Sequence, residues 1–300
     1  MSDRSEFTTP EASATEPDTR LADFLEVADE LWPLATAESW DRVGLTSGDP
    51  RAALTRALLA VDVTEATVTE ALETGADLLF THHPLLLRGV HTLAEDTAKG
   101  ALIARLIRGG CALYSAHTNA DAPADGVSDV FARRLGLVHA QPIVPSQHPA
   151  AHPGAGIGRV GTLPHPTSLR ELAERLAEIL PQTVSGVRVG GDPNREVSRV
   201  ALLGGAGDSL LDHPLVRAAD VYVTSDLRHH PAQESLELGA AAGGPALIDV
   251  AHWASESLWL AGAAETLGAR LPGVAFSVSS ARTDPWAFAV GALAEPGAAA

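Results

Sequence analysis

The stretch Asp77–Leu87, DLLFTHHPLLL, decides how this chain is read. Leu78, Leu79 and Phe80 lead into Thr81, two adjacent histidines and Pro84. A short apolar run bounded by Gly75 and Pro84 predicts a buried parallel strand. His82 and His83 then stand at its carboxyl end, where open α/β sheets bind ligands. Neighbouring residues of an extended chain point to opposite faces, so the pair can serve two centres flanking the strand end. Pro84 keeps His83 out of the helical region. Alone, the pair reads more simply as two histidines in a solvated loop, and the surrounding chain has to choose.

On the amino side, Arg56–Val63 predicts a strand and Thr64–Thr74 a helix with Thr64 as its N-cap, so DLLFTHH closes a parallel β-α-β unit. Before it, Leu21–Leu34 has the apolar spacing of an amphipathic helix, and Trp40-Asp41 lies in a turn-rich segment as core and cap or as pocket wall. On the carboxyl side, a helix over Thr97–Arg108 stops at Gly109-Gly110, a strand over Cys111–Ser115 runs into His117–Asp121, and Gly126–Leu137 predicts another helix. Residues 139–165 hold five prolines and four histidines and predict a loop or crossing segment.

Beyond that segment, Thr167–Leu180 predicts a helix with Ser168 and Glu171 as a capping box. Strands are expected over 184–189 and 197–203, followed by Gly204-Gly205-Ala206-Gly207, a phosphate cradle or a tight strand-to-helix turn. A strand over Val221–Thr224 ends in Thr224–His230, with a helix after Pro231. Ala246–Val250 is a further strand, and a helix to about Leu267 and a strand over Val274–Val278 follow. The alternation predicts an α/β fold with largely parallel sheets, in two halves that meet around the proline-rich segment.

Composition narrows the function. No apolar run approaches the roughly 18 residues that cross a bilayer, so no membrane role is expected. The first twenty residues are polar and read as a disordered arm, not a signal peptide. The tail EPGAAA reads as flexible. Cys111 is the only cysteine, which excludes internal disulfides and cysteine-rich zinc sites and fits the cytoplasm. A formal charge of −17 argues against general nucleic-acid binding.

Four predicted strand ends carry ligand-type side chains: Thr81–His83, His117–Asp121, Thr224–His230 and Asp249–Glu256. His252 and Glu256 share a helix face if the helix begins at or just before His252. Three imidazoles with Asp121 and Glu256 form a mixed nitrogen and oxygen set, suited to zinc, iron, manganese or cobalt. Five ligands leave positions open, as in catalytic sites, and two ions would activate a water and polarise a phosphoryl or carbonyl oxygen. His117, Asn119, Thr224, Asp226 and His230 are candidates for orienting ligands or touching substrate.

The ordered motifs ESWDRVGL (Glu38–Leu45), DLLFTHHPLL (Asp77–Leu86), YSAHTNADA with GV following (Tyr114–Val127), VYVTSDLRHH (Val221–His230) and IDVAHWASE (Ile248–Glu256) resemble the Nif-three-like dinuclear metal-centre family, often labelled GTP cyclohydrolase I type 2 homologues. The resemblance spans about Leu21 to Trp286. It implies two divalent ions per chain held by His82, His83, Asp121, His252 and Glu256, with Glu256 as bridge. It also implies two similar three-layer α/β lobes with the metal site between them, and a homohexamer. The boundaries that follow are an arm over 1–20, a discontinuous first lobe over 21–138 plus 246–290, a second lobe over 139–245 and a tail over 291–300. Arg42, Ser225, Ala251 and Trp253 depart from the family's usual residues without removing a ligand. The implied activity is a metal-dependent hydrolase acting on a small-molecule substrate, with a nucleotide as the candidate and a metal-bound hydroxide as nucleophile. The alternative is a non-enzymatic metal-binding scaffold or metal-delivery protein.

Overall fold

The computed structural model describes residues 19–291. The expected arm and tail therefore lie outside the described residues, apart from Thr19, Arg20 and Gly291. Thr19 and Arg20 are not part of a loose arm: the Thr19 carbonyl accepts the Leu54 N–H at 3.0 Å, and Arg20 forms an antiparallel bridge with Ala53.

Among the described residues, one sheet runs in the order β1 (Gly44–Ser47), β4 (Ala112–Ser115), β3 (Leu78–Thr81), β2 (Arg56–Ala60) and β13 (Ala275–Val278). Only the β1–β4 pairing is antiparallel. A second sheet runs β5 (Val138–Gln141), β8 (Arg159–Ser168), β10 (Glu196–Ala206), β11 (Val221–Ser225), β12 (Ala246–Val250) and β9 (Val187–Gly190). Here β10, β11 and β12 are parallel, and the outer pairings are antiparallel. β6 (Val144–Pro145) and β7 (Gly156–Ile157) form a small ribbon. The helices are α1 (Leu21–Leu31), α2 (Glu65–Glu73), α3 (Ala98–Arg108), α4 (Thr118–Asp121), α5 (Val127–Leu135), α6 (Leu169–Ile179), α7 (Pro214–Arg217), α8 (His229–Ala242) and α9 (His252–Arg270). The chain is thus a mixed α/β protein. None of its described helices is long and apolar enough to cross a membrane.

β3 is buried at every position, as its unbroken apolar run requires. Phe80 stacks on Tyr114 at 5.7 Å and meets Trp32 and Trp259 at 5.5 and 5.9 Å. This aromatic group roofs the first sheet. The longest helix, α9, joins the two halves. Ala254 near its start is buried with the second sheet's core, whereas Trp259, Leu260, Ala263 and Leu267 enter the first core. A helix shared by two cores can hold its own side chains at their junction.

Four expectations need correction. β12 does not rejoin the first sheet: all five residues are buried, and it is inserted between β11 and β9. From the expected 246–290 segment only β13 enters the first sheet, parallel to β2. Residues 139–165 contain β5, β6, β7 and much of β8. Pro164 and Pro166 lie beyond the Val138↔Thr162 pair, where β8 has lost its β5 neighbour. Missing N–H groups are tolerated on such an edge. α8 begins at His229, before Pro231, because the first turn of a helix needs no N–H from its residues. Finally, Gly204 and Gly205 belong to β10, not to a strand-to-helix turn.

Cys111 is 2% exposed, and burial, reinforced by the nearby Asp77 charge, pushes its thiol up to about 12. The reactive thiolate is therefore scarce at pH 8. Iodoacetamide followed by mass spectrometry is expected to leave Cys111 unmodified in the native protein and to label it completely in urea.

Candidate metal centre

β3 ends in a bend held by hydroxyls. Thr81 Oγ1 donates to the His83 carbonyl at 3.0 Å and lies 3.0 Å from Ser115 Oγ on β4. The bend overrides the alternation of an extended chain. The His82 and His83 rings, 5.0 Å apart, both turn toward Glu256. His82 Nε2 is 3.5 Å from Glu256 Oε1, and His83 Nε2 is 3.0 Å from Oε2. Asp121, the last residue of α4, brings Oδ1 to 3.6 Å from His82 Nε2. α9 begins at His252, so Glu256 follows one turn later on the same face, with His252 Nε2 2.9 Å from Oε1. The structure therefore brings together His82, His83, Asp121, His252 and Glu256.

The outer nitrogens explain this convergence. His82 Nδ1 donates to the Ala116 carbonyl at 2.9 Å, and His83 Nδ1 to Asp62 Oδ1 at 2.7 Å. His252 Nδ1 donates to Asp226 Oδ2 at 2.7 Å. His117 follows the same pattern, with Nδ1 donating to Asp41 Oδ1 at 2.9 Å. With Nδ1 carrying the proton, the neutral ring offers Nε2 as a lone pair, the arrangement found at metal-binding histidines. Asp41 is itself held by the Thr118 N–H and hydroxyl at 3.0 and 2.6 Å.

Three buried atoms at the centre have no hydrogen-bond partner: His82 Nε2, Asp121 Oδ1 and Glu256 Oε2. Buried polar atoms left unpaired are costly, and here they converge. Bound divalent cations would satisfy these atoms, so the side chains fit a metal. His83, His252 and Glu256 offer ligand atoms within 4.8 Å of one another, as do His82, His83 and His117.

Without a metal, the same atoms repartition protons. Burial opposes charging of the His252 ring, but the Glu256 charge and the hydrogen bond to Asp226 push it up to about 10. His83 moves well above its ordinary value because Glu256 and Asp62 outweigh burial. Burial would raise Glu256, yet the His83, His252 and His82 charges hold it well below the usual carboxylate range. Asp121 is raised, chiefly by burial, with Glu256 adding to it.

The other expected residues divide. Asp226 orients His252, and His117 joins the cluster. Thr224 donates to the Gly205 carbonyl at 3.0 Å, and Asn119 donates to the Trp32 carbonyl at 2.8 Å, so both brace backbone. His230 is exposed beside His229 on α8, with no contact to the cluster. Asp62 was not anticipated, although it follows β2 at the same sheet end. Nor was Gly205: its φ is +81°, and a Cβ there would lie 2.4 Å from Glu256 Oε1. The amides of Gly204 and Gly205 are taken by Ser128 and Ser255 hydroxyls, which removes the phosphate-cradle alternative.

Cavities flank the cluster. One of about 740 Å³ is lined by Asp62, His83, Asp226, His252 and Trp286. Another of about 400 Å³ is lined by Trp40, His117, Asp121, His252 and Glu256. Both fall in the size range of small-molecule sites.

A pH prediction follows from the raised imidazole. Its stabilising protonation is complete below 6.5 and is lost as pH rises through about 10. Urea unfolding of metal-free protein is expected to show stability falling over that window, with a shallower fall in Glu256→Gln.

The Duf34/NIF3 (NGG1p interacting factor 3) family model matches residues 19–285. A Streptomyces coelicolor protein named "GTP cyclohydrolase 1 type 2 homolog" is 47% identical over 277 residues, covering 89% of this chain and 93% of the relative. A Mycobacterium leprae protein of the same name is 39% identical, covering 89% and 95%. Among solved structures, a Bacillus cereus protein related to NIF3 superposes with a TM-score of 0.81 at 23% identity, covering 92% of this chain and all of the other. A Staphylococcus aureus protein superposes with a TM-score of 0.79 at 27% identity, covering 90% and 99%. The chain belongs to the Duf34/NIF3 family.

Proposed function

We propose that this chain is a dinuclear metal-dependent hydrolase, with His82, His83, Asp121, His252 and Glu256 as its metal ligands. The carrying observation is the convergence of three Nδ1-anchored imidazoles on one buried carboxylate whose Oε2 has no hydrogen-bond partner. His82 and Asp121 would hold one ion, His83 and His252 the other, with Glu256 within reach of both. The mixed nitrogen and oxygen donors suit zinc, iron, manganese or cobalt. When bound, such ions supply Lewis acidity toward a phosphoryl or carbonyl oxygen and acidify water.

The chain's own groups do the rest. Asp62, Asp226 and the Ala116 carbonyl hold the imidazole rings in orientation. His117, paired with Asp41, is the group we assign to holding or moving a proton beside the cluster. The 400 Å³ cavity, which His117 lines together with Asp121, His252 and Glu256, receives the substrate, for which a nucleotide is the class suggested by the relatives' names. The chain assembles as a homohexamer in the cytoplasm and has two lobes, with β12 in the second.

Protein purified without chelator is expected to carry two divalent ions per chain by elemental analysis. Glu256→Gln should reduce this to one or none, and His83→Ala should abolish turnover while Glu174→Ala on α6 leaves it unchanged. The test panel contains GTP, phosphoesters and amides. A protein holding two ions that turns over none of them would sink the hydrolase reading and favour a metal-delivery scaffold. Gly205→Ala, which crowds Glu256, is expected to weaken metal binding by about 10–100-fold, the range for disturbed ligand support, as measured by competition with a chromogenic chelator.

A further inference from the structure

Arg159 opens β8 on the second sheet and is 1% exposed. A buried guanidinium is expensive unless its donors are met. Here they are met by acceptors from three segments: the loop after Asp121, the residues just before Arg159, and α5. Nη2 donates to the carbonyls of Ala122 and Pro123 at 3.3 and 2.9 Å. Nη1 donates to the carbonyls of Gly156 and Gly158 at 2.7 and 2.8 Å. Nε donates to Asp129 Oδ1 on α5 at 3.0 Å.

Ala122 and Pro123 directly follow Asp121. The Ala122 carbonyl also accepts the Gly156 N–H at 2.8 Å, so the loop is gripped twice from the same side. It is folded tightly on itself. A Cβ on Gly126 would lie 2.4 Å from the Ala120 carbonyl oxygen and 3.1 Å from that of Asp121. Asp121 has only its carboxylate in the metal cluster, and no side chain of the first sheet performs the grip just described.

We propose that Arg159 is a positioning residue that aims Asp121, and thereby sets the affinity of the metal position shared by His82 and Asp121. The inference rests on the metal-centre reading above. The guanidinium fork holds two consecutive carbonyls and a carboxylate in fixed relation, which an ammonium group cannot reproduce. Loosening the grip frees Asp121 to swing away from His82 Nε2. His83 and His252 are anchored by Asp62 and Asp226, which Arg159 does not touch, so the second position is left intact. The second sheet therefore supports both carboxylates: β8 through Arg159, and the paired strand β10 through the space left at Gly205.

The test compares the full-length wild type with Arg159→Met and Arg159→Lys, using zinc titration against a competing chelator and hydrogen–deuterium exchange of residues 120–126. The wild type should bind two ions. In Arg159→Met one of the two should lose about 10–100-fold in affinity, while the other holds within about twofold. Exchange should quicken in 120–126 but not in α9, and Arg159→Lys should fall between the two proteins. Uniform weakening of both ions, or unchanged affinities in a folded variant, would overturn the inference and leave the metal-centre reading standing. If the wild type binds none of zinc, iron(II), manganese or cobalt, that reading fails, and exchange confined to 120–126 then decides alone whether Arg159 holds the loop. If Arg159→Met does not fold, Arg159→Lys and Asp129→Asn carry the same comparison.

Discussion

The contact on which this structure depends is the buried Glu256 carboxylate set among three imidazoles. Glu256 is 3% exposed, and its oxygens lie 2.9–3.5 Å from Nε2 of His82, His83 and His252. A lone buried carboxylate would be driven toward its neutral form. The opposite happens here, because the surrounding ring charges outweigh burial. That balance needs all three rings turned inward, and each is turned inward by what its Nδ1 grips. The second layer of carboxylates and one backbone carbonyl therefore shapes the centre as much as the inner groups do.

The fold meets this demand by assembling the centre from separate pieces. His82 and His83 come from a bend after β3, Asp121 from a short helix after β4, and His252 and Glu256 from the start of α9. α9 is placed by both cores: Ala254 belongs to one, and Trp259 through Leu267 belong to the other. Trp259 also meets the His82 ring at 5.7 Å, so aromatic packing of the first core reaches directly into the cluster. The site and the inter-sheet junction are the same region.

Much of the local structure was legible in the chain. The apolar run of DLLF required a buried strand, the paired histidines stood at its end, and the four-residue spacing of His252 and Glu256 placed them on one face once the helix began at His252. Local chemistry also anticipated the Ser168–Glu171 capping box, which forms with the Ser168 hydroxyl accepting the Glu171 N–H. The misreadings share a cause. Pro142, Pro149 and Pro153 do lie in turns or loops, but Pro145 and Pro164 sit in strands, where edge positions tolerate them, and edge status depends on a neighbour far away in the chain. Ala246–Val250 was assigned to the wrong sheet because an apolar strand carries no mark of its partner.

Sequence alone determined the donor chemistry: which residues could bind a borderline metal, and their positions near strand ends. Both follow from side-chain type and from periodicity over a few residues. Only the tertiary structure decided what holds those donors in place, because Asp62, Asp226, Gly205 and Arg159 act on groups that are distant in sequence or invisible to local patterning. The sharpest case is the histidine pair itself. Extended-chain geometry sends His82 and His83 to opposite faces, whereas hydroxyls on neighbouring strands bend the chain and turn both rings onto one carboxylate.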